Sequence, residues 1–416
     1  MKTFDWIIVG GGVAGISLSE ILTREGHSVA LIEKKDKLAS ATTREFHEWF
    51  HTGCLYTLLK DQLKTLKYIL GSLDDLLEFY SSFSEMNLKP TEKGLKVIDN
   101  NKGWFSPNYI NFKYKLKNRK LILPWLYAIA RSVALIDGIK NHDWLRRRAG
   151  ILESVTSEYY LPIIKNLFKI VMSNDNFFKI QSTDFTTNSR NLLRDLVATA
   201  SENGLEIFTN TELLDIENIN NELVAKCSNE NFRSKNMAIC LGGEIEKFSD
   251  LKINKSYAPI AVVKNIKTDA KSFVELDCFV KNCINIVTKG KSFGLIGGIS
   301  LSKKEEVEKY FDFMINEHKK HNTEIKVLEK YVGIKNEVSQ KKENRNYLFH
   351  INPSKKYKNV WSVIPGKFTL AFSMAPEFYR VVYNKNPRKF FSTSSAGEKY
   401  SNLVEETIWE EIQKKE

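Results

Sequence analysis

DWIIVGGGVAGISLSEILTREGHSVALIEK, residues 5–34, reads as strand, glycine turn, helix, second strand and acidic end within one short unit. Trp6 to Val9 is an apolar run suited to a buried parallel strand. Gly10, Gly12 and Gly15 follow it in the G-x-G-x-x-G spacing of a dinucleotide site. In that role Gly10 allows the tight turn, Gly12 lets a pyrophosphate approach the backbone, and Gly15 brings helix and strand together, while the helix N-terminus offers free N–H groups. Ala14, Leu18, Ile21 and Leu22 form one helical face, Gly26 is a C-terminal stop, and Ser28 to Ile32 is the second strand. Glu33 then ends the unit. Its carboxylate can accept from ribose hydroxyls and would repel a 2′-phosphate, which favours FAD or NAD over NADP. The unit alone does not separate those two, although the GGG form and the Glu33–Lys34 pair lean toward FAD.

A chain of 416 residues is long for one core, and about two domains are expected. With 42% hydrophobic and 12% aromatic residues it is globular, with ample material for a buried pocket. The net charge of +12 is spread along the chain, and only Arg146, Arg147 and Arg148 form a compact run. We therefore expect a solvated basic surface rather than a nucleic-acid site; its field would favour an anionic substrate or weak contact with an acidic membrane. Cys54, Cys227, Cys240, Cys278 and Cys283 contain no CxxC pair, so neither a metal site nor a disulfide framework is expected, and a reducing cytoplasm is the simplest home. No signal peptide is expected, because Met1 to Asp5 leads directly into the first strand. The longest apolar stretch, Leu121 to Ile136, is interrupted by Pro124 and Arg131 and falls short of the ~18 residues of a spanning helix. It reads as a core or pocket-lining helix; an interfacial helix touching a membrane through Trp125 and Tyr127 is the alternative.

After the nucleotide unit comes ASATTREFHEWFHTGCLY, residues 39–56, a loop rich in Ser, Thr, Arg and His where the chain returns toward the cofactor. From Leu59, apolar residues at Leu63, Leu66, Leu70, Leu73, Leu77 and Tyr80 mark one face of a long core helix. Residues 86–180 are irregular and read as an inserted lobe. A second helix–strand step is predicted at Asn188 to Asn203 and Leu205 to Phe208. Strands follow at Leu213 to Ile216, Leu223 to Cys227 and Met237 to Leu241, the last ending in Gly242 and Gly243. Ala258 to Ile299 is strand-rich and suggests an antiparallel pocket floor. A helix at about 304 to 320, a strand at Tyr331 to Ile334, then YLFHI and VWSVI lead to Pro365, Gly366 and a final helix.

This order of elements resembles the D-amino-acid-oxidase-like FAD-dependent oxidoreductases over nearly the whole chain. The residues carrying the resemblance are VGGGVAGISLSEIL, ALIEK, FHTGCLY, STDFTTNSRNLLRDLVATASENGLEIFTNTELLDIE, AICLGGE, YVGIK and NVWSVIPGKFTLAFSMAP. The resemblance implies an α/β chain, α+β overall, with a Rossmann-like FAD-binding domain (1–85, 181–256 and 340–416) interleaved with an antiparallel-sheet substrate domain (86–180 and 257–339). It implies that Gly10, Gly12 and Gly15 bind the pyrophosphate, that Glu33, with Lys34 beside it, binds the adenosine ribose, and that Ser40, Thr43 and Arg44 line the phosphate and flavin edge. Leu213 would offer backbone to the adenine. Gly242 and Gly243 would pass the cofactor, and Pro365, Gly366, Lys367, Phe368 and Thr369 the isoalloxazine. FHTGCLY is most similar to the L-2-hydroxyglutarate oxidases, with His51 in the matching histidine position. Two departures stand out: Lys367 and Phe368 occupy places where the family has small residues, and Lys335 stands after YVGI where the family often has an arginine, a point charge in place of a planar fork.

In this chemistry the protein binds and orients the substrate, excludes water and supplies a base. His51 and His350 are the candidates for that base. Lys335, Arg345 and Tyr347 are candidate substrate residues, the two cations as a wall for a carboxylate or phosphate. The expected activity is oxidation of a C–N or C–OH bond of a polar, anionic small molecule (an amino acid, a 2-hydroxy acid or a sugar derivative), with oxygen, a quinone or a protein as acceptor. The alternatives are an NAD(P)H-using flavin monooxygenase or reductase and a catalytically silent FAD-binding protein.

Overall fold

Trp6 to Val9 are buried on both faces, which places the strand Thr3–Val9 in the middle of a sheet rather than at its edge. In this computed structural model, residues 1–52, 56, 64–91, 94–115, 177–181, 184–220, 222–267, 271–276, 283–290, 292–339, 348–389 and 397–416 are described. Leu205–Phe208, Val29–Ile32, Thr3–Val9 and Phe232–Ile239 pair in that order, all parallel, and Val360–Ile364 also pairs parallel with Phe232–Ile239. Glu222–Cys227 and Leu213–Ile219 continue as an antiparallel meander, and His350–Pro353 runs antiparallel to Val360–Ile364. Trp6 and Ile8 face the helices, while Ile7 and Val9 face a core containing Leu213, Ile216, Ala225 and Phe232.

The helix Val13–Arg24 corrects a one-faced reading: every residue of it is buried, because the helices Ser189–Glu202 and Ala371–Tyr383 pack against its remaining sides. Its charges survive burial by pairing. Arg24 grips Glu20 through Nε at 2.9 Å and Nη2 at 2.8 Å, and Nη1 donates to the Phe79 carbonyl at 2.7 Å. The apolar face at Leu66, Leu70 and Leu73 belongs to the helix Lys64–Tyr80, with Leu59 and Leu63 outside the described residues.

A second sheet has the order Lys326–Val338, Ile253–Lys264, Phe293–Gly298, Ile284–Lys289, Phe273–Leu276, Asn111–Lys115, Phe177–Gln181. It is antiparallel except where Phe273–Leu276 meets Asn111–Lys115. The helix Val307–His321 covers one face, and Phe46 and Trp409 pack against the other. Several strands exceed their apolar cores: the predicted Tyr331 to Ile334 runs from Lys326 to Val338, and the predicted Met237 to Leu241 is Phe232–Ile239. Polar residues extend both strands beyond those runs, Lys326, Glu329 and Lys330 exposed on one and Arg233 and Lys235 on the other, so the apolar run under-reports the length. A small sheet of Trp49–Phe50, Phe185–Thr187 and Phe105–Ser106 carries the histidine loop. Leu121 to Ile136 and Arg146 to Arg148 lie outside the described residues; among those described, no helix is long and apolar enough to cross a membrane.

Candidate active site

The glycine turn is shaped by steric exclusion. Gly10 has φ 105°, and a Cβ there would lie 2.6 Å from the Cys240 carbonyl oxygen on the neighbouring strand. A Cβ at Gly15 would overlap the Gly10 carbonyl, so helix and turn approach as closely as backbone allows. Gly12 is the N-cap, with no side-chain cap and no acidic residue in the first helical turn. The Val13 N–H points to the Thr43 hydroxyl at 3.2 Å. Glu33 does a local job: Oε2 accepts from the Gly11 N–H at 2.7 Å and Oε1 from the Lys35 N–H at 2.9 Å. It thereby fixes the turn, and each carboxylate oxygen keeps a further lone pair for a ribose hydroxyl.

The loop from Lys37 to Thr52 runs from this turn to the antiparallel sheet. Ala39, at φ 60°, donates its N–H to the Gly11 carbonyl at 2.8 Å. The Ser40 hydroxyl donates to the Lys37 carbonyl at 2.6 Å, and Arg44 pairs with Glu411 at 2.8 Å while its buried Nε has no partner among the described residues. Glu45 accepts from the Ile334 N–H at 3.1 Å, and Phe46 lies against Gly333, under the Lys335 ammonium at 5.6 Å from the ring centre. His47 packs on Gly297, which has no side chain to obstruct it. Burial, then Lys335, Lys289 and His51, push the His47 imidazole down to about 3.

His51 follows the short strand Trp49–Phe50. Its backbone N–H donates to the Thr369 hydroxyl at 3.1 Å, and its ring sits between Trp49 and Tyr56, with centres 4.6 and 5.2 Å away. Nδ1 is 3.6 Å from the Asp184 carboxylate, beyond hydrogen-bonding distance. Asp184 is itself held by the Trp49 indole at 2.9 Å, the Thr52 N–H at 2.9 Å and the Thr52 hydroxyl at 2.6 Å. Burial pushes the His51 imidazole down to about 4; Asp184 opposes that and Lys367 and Lys335 add to it. At neutral pH His51 is therefore an uncharged imidazole facing a carboxylate, able to take up a proton.

The closing turn runs from the strand Val360–Ile364 into the helix Ala371–Tyr383. Gly366 has φ 67°, Lys367 donates its N–H to the Pro365 carbonyl at 2.8 Å and extends over the Tyr56 ring at 5.2 Å, and Phe368 packs on Phe372 at 6.0 Å. The Thr369 carbonyl accepts from the Ser72 hydroxyl. His350 enters beside this turn by pairing with Ile364, half-buried, its imidazole pushed down by burial and by Lys64. The predicted strand through Tyr347 begins only at His350; Arg345 and Tyr347 lie outside the described residues. Leu213 starts its strand buried, Gly242 has φ 53°, and Gly243 lies against Asn336. Lys34 is paired with Glu244 on the exposed side of the turn.

Asp184, His47 and Asn285 are site residues the sequence reading missed. The i, i+4 spacing of His47 and His51 was a visible signal; Asp184 sits in STDFTT without one. Among the described residues, buried polar atoms with no partner gather here: Arg44 Nε, His47 Nε2, His51 Nδ1, Asn285 Oδ1 and Asn336 Oδ1. Together with the Gly10, Gly12 and Gly15 cradle and the uncapped helix, they fit a large polar ligand such as FAD laid along this loop. A cavity of about 490 Å³ lined by Lys113, Lys271, Phe273, His318 and His321 lies elsewhere, on the helix-covered face of the second sheet.

A family model described as DAO, FAD dependent oxidoreductase, matches residues 5–271. The fold is similar to that of glycine oxidase from Geobacillus kaustophilus, with TM-score 0.62 and 13% identity over 97% of this chain and 98% of that one. It is also similar to L-alpha-glycerophosphate oxidase from Mycoplasma pneumoniae, a structure with FAD bound, with TM-score 0.60 and 18% identity over 93% and 97%. In sequence, 15-cis-phytoene desaturase of Arabidopsis thaliana is 26% identical over 187 residues, 40% of this chain and 32% of that protein. UDP-galactopyranose mutase of Mycoplasma pneumoniae is 33% identical over 110 residues, 24% and 23%. The matches thus span about a third or less of these curated relatives.

Proposed function

The chain belongs to the FAD-dependent oxidoreductase (DAO) family, and from that premise we propose that it oxidises a C–OH or C–N bond of a small anionic metabolite between the histidine loop and the antiparallel sheet. The observation that carries this reading is His51, an uncharged imidazole beside the Asp184 carboxylate and tied to Thr369 of the closing turn. When bound, FAD supplies the hydride acceptor.

The chain's own residues do the rest. Gly10, Gly12, Gly15 and the N-terminus of the helix Val13–Arg24 would hold the pyrophosphate, Glu33 the ribose, and Ser40, Thr43 and Arg44 the edge of the loop. His51 takes the proton from the substrate hydroxyl or ammonium, and Asp184 offsets the charge that the imidazole acquires. Lys335, on the sheet face beside Phe46, attracts a substrate carboxylate or phosphate. Aromatic rings around His51 exclude water. The neighbours' names, glycine oxidase and glycerophosphate oxidase, bracket the substrate classes proposed: amino acids, 2-hydroxy acids and phosphorylated or acidic sugar derivatives. We propose that 1–85, 181–256 and 340–416 serve the cofactor and 86–180 and 257–339 the substrate.

Anaerobic mixing of the flavin-loaded protein with these classes tests the reading. Bleaching of the flavin by one class, slowed at least about tenfold by His51→Asn, supports it; rapid bleaching by NADPH alone with none by the panel would sink it.

A further inference from the structure

Glu48 separates the two histidines of the loop, and its backbone has φ 59°. A residue with a Cβ enters this left-handed region at a steric cost and stays there only where its surroundings hold it. Here they do. The buried carboxylate receives the Lys289 ammonium from the antiparallel sheet. It also accepts from the Ser189 N–H and hydroxyl at 2.7 and 2.5 Å, at the start of the helix Ser189–Glu202, and from the Trp409 indole N–H at 2.9 Å, in the C-terminal helix Ile408–Lys415. Its carbonyl accepts from the Thr187 N–H at 2.7 Å. Four separate elements converge on one residue.

The turn at Glu48 has directional consequences. Before it, His47 lies on Gly297 of the sheet; after it, Trp49 and Phe50 pair with Thr186 and Phe185, which delivers His51 to Thr369 and Asp184. With Glu48 in a right-handed or extended conformation, the chain could not satisfy both ends. We infer that Glu48 is a positioning residue, whose anchored carboxylate fixes the left-handed turn that sets His47 on the sheet and His51 on the closing turn, with the C-terminal helix as one of its anchors. A buried ion pair by itself is weak evidence of stabilisation; convergence on a disfavoured turn between His47, seated on the sheet, and the proposed base His51 is what assigns the role. The inference rests on the reading of this loop as the active site.

Histidine-selective NMR of the flavin-loaded protein, with no substrate, tests it independently of turnover. Besides each other, His47 faces Lys335 and Lys289, and His51 faces Asp184, Lys367 and Lys335. Three variants separate position from charge. Glu48→Gln keeps size but only one of the two acceptor oxygens, so either Ser189 or the Lys289 and Trp409 pair loses its acceptor. Glu48→Gly with Lys289→Met removes both charges and gives the turn a residue that accepts it. Trp409→Phe removes one anchor only. We expect the His51 signal not to titrate between about pH 5 and 8 in the native protein and to titrate in the double variant; His47 also loses the Lys289 repulsion there, so His51 is the readout of position. Flavin reduction should fall at least about tenfold in the double variant and by less in Glu48→Gln, which keeps one pair of its anchors. A double variant with an unmoved His51 signal and the native reduction rate would overturn the inference. Should it fail to fold, Trp409→Phe decides: a lowered reduction rate at an unchanged melting midpoint supports the positioning role, and an unchanged rate overturns it. If His51→Asn leaves reduction unchanged, the assignment of the base fails, while the NMR signals still report on the turn.

Discussion

The backbone N–H of His51 meets the Thr369 hydroxyl at 3.1 Å, which joins the histidine loop to the turn that ends the strand Val360–Ile364. Thr369 is buried, so Thr369→Val leaves that N–H without an acceptor at a cost of roughly 1–3 kcal/mol. We expect a lower melting midpoint and slower flavin reduction, with Thr369→Ser recovering most of both. Differential scanning calorimetry and stopped-flow absorbance check the two effects.

Gly12 and Gly15 should fail differently. A Cβ at Gly15 overlaps the Gly10 carbonyl, so Gly15→Ala forces helix and turn apart and destabilises the apoprotein. At Gly12 the backbone is ordinary and the nearest atom to a Cβ is the Thr43 hydroxyl at 3.3 Å. Gly12→Ala should therefore fold with nearly native stability yet bind FAD at least about tenfold more weakly, because the methyl occupies the pyrophosphate approach. Flavin titration beside thermal melting of the apoprotein resolves the pair.

Lys335 is proposed to attract the substrate anion without touching the nucleotide turn. Lys335→Met should raise KM by about tenfold or more and leave FAD affinity unchanged, and Lys335→Arg should preserve KM better than Met. Equal losses in flavin affinity and KM would move Lys335 from the substrate to the cofactor.

Acid should destabilise the fold through its histidines. His47, His51 and His318 are held neutral by burial, pushed down to about 3, 4 and 4. Unfolding lets each take up a proton below its ordinary value of about 6.5, so stability falls as pH drops from there toward 4 and levels off below the native values. Asp195 acts in reverse: burial raises it to about 6, so it favours the fold below that pH. His27 and His350, also lowered by burial, act with these three imidazoles, and Glu20 and Glu45, raised by burial, act with Asp195. At pH 5 each of those three histidines contributes up to about 2 kcal/mol of loss, so the melting midpoint should drop between pH 7 and pH 5, and less so in His47→Gln.

The nucleotide unit was legible because its determinants are local: glycine spacing, one apolar run and one acid within residues 5–34. What surrounds it was not. The helix Val13–Arg24 looked one-sided, and only distant segments, the helices at 189–202 and 371–383, explain why Arg24 and Glu20 are buried as a pair. Asp184 gains its meaning when Phe185–Thr187 pairs with Trp49–Phe50, a contact made across more than a hundred residues. Glu48 was invisible for a different reason. Left-handed turns are read from glycine or asparagine, and a glutamate held there by Lys289, Ser189 and Trp409 leaves no local trace.

The most direct measurement is the anaerobic reduction rate of the bound flavin by an anionic hydroxy or amino substrate, in native protein and in His51→Asn, across pH. The account predicts bleaching without NAD(P)H and a rate that falls in acid as His51 becomes protonated. His51→Asn should be slower by about tenfold or more and lose that acid limb. Equal rates and equal pH profiles in the two proteins, or a protein that binds no flavin, would contradict it.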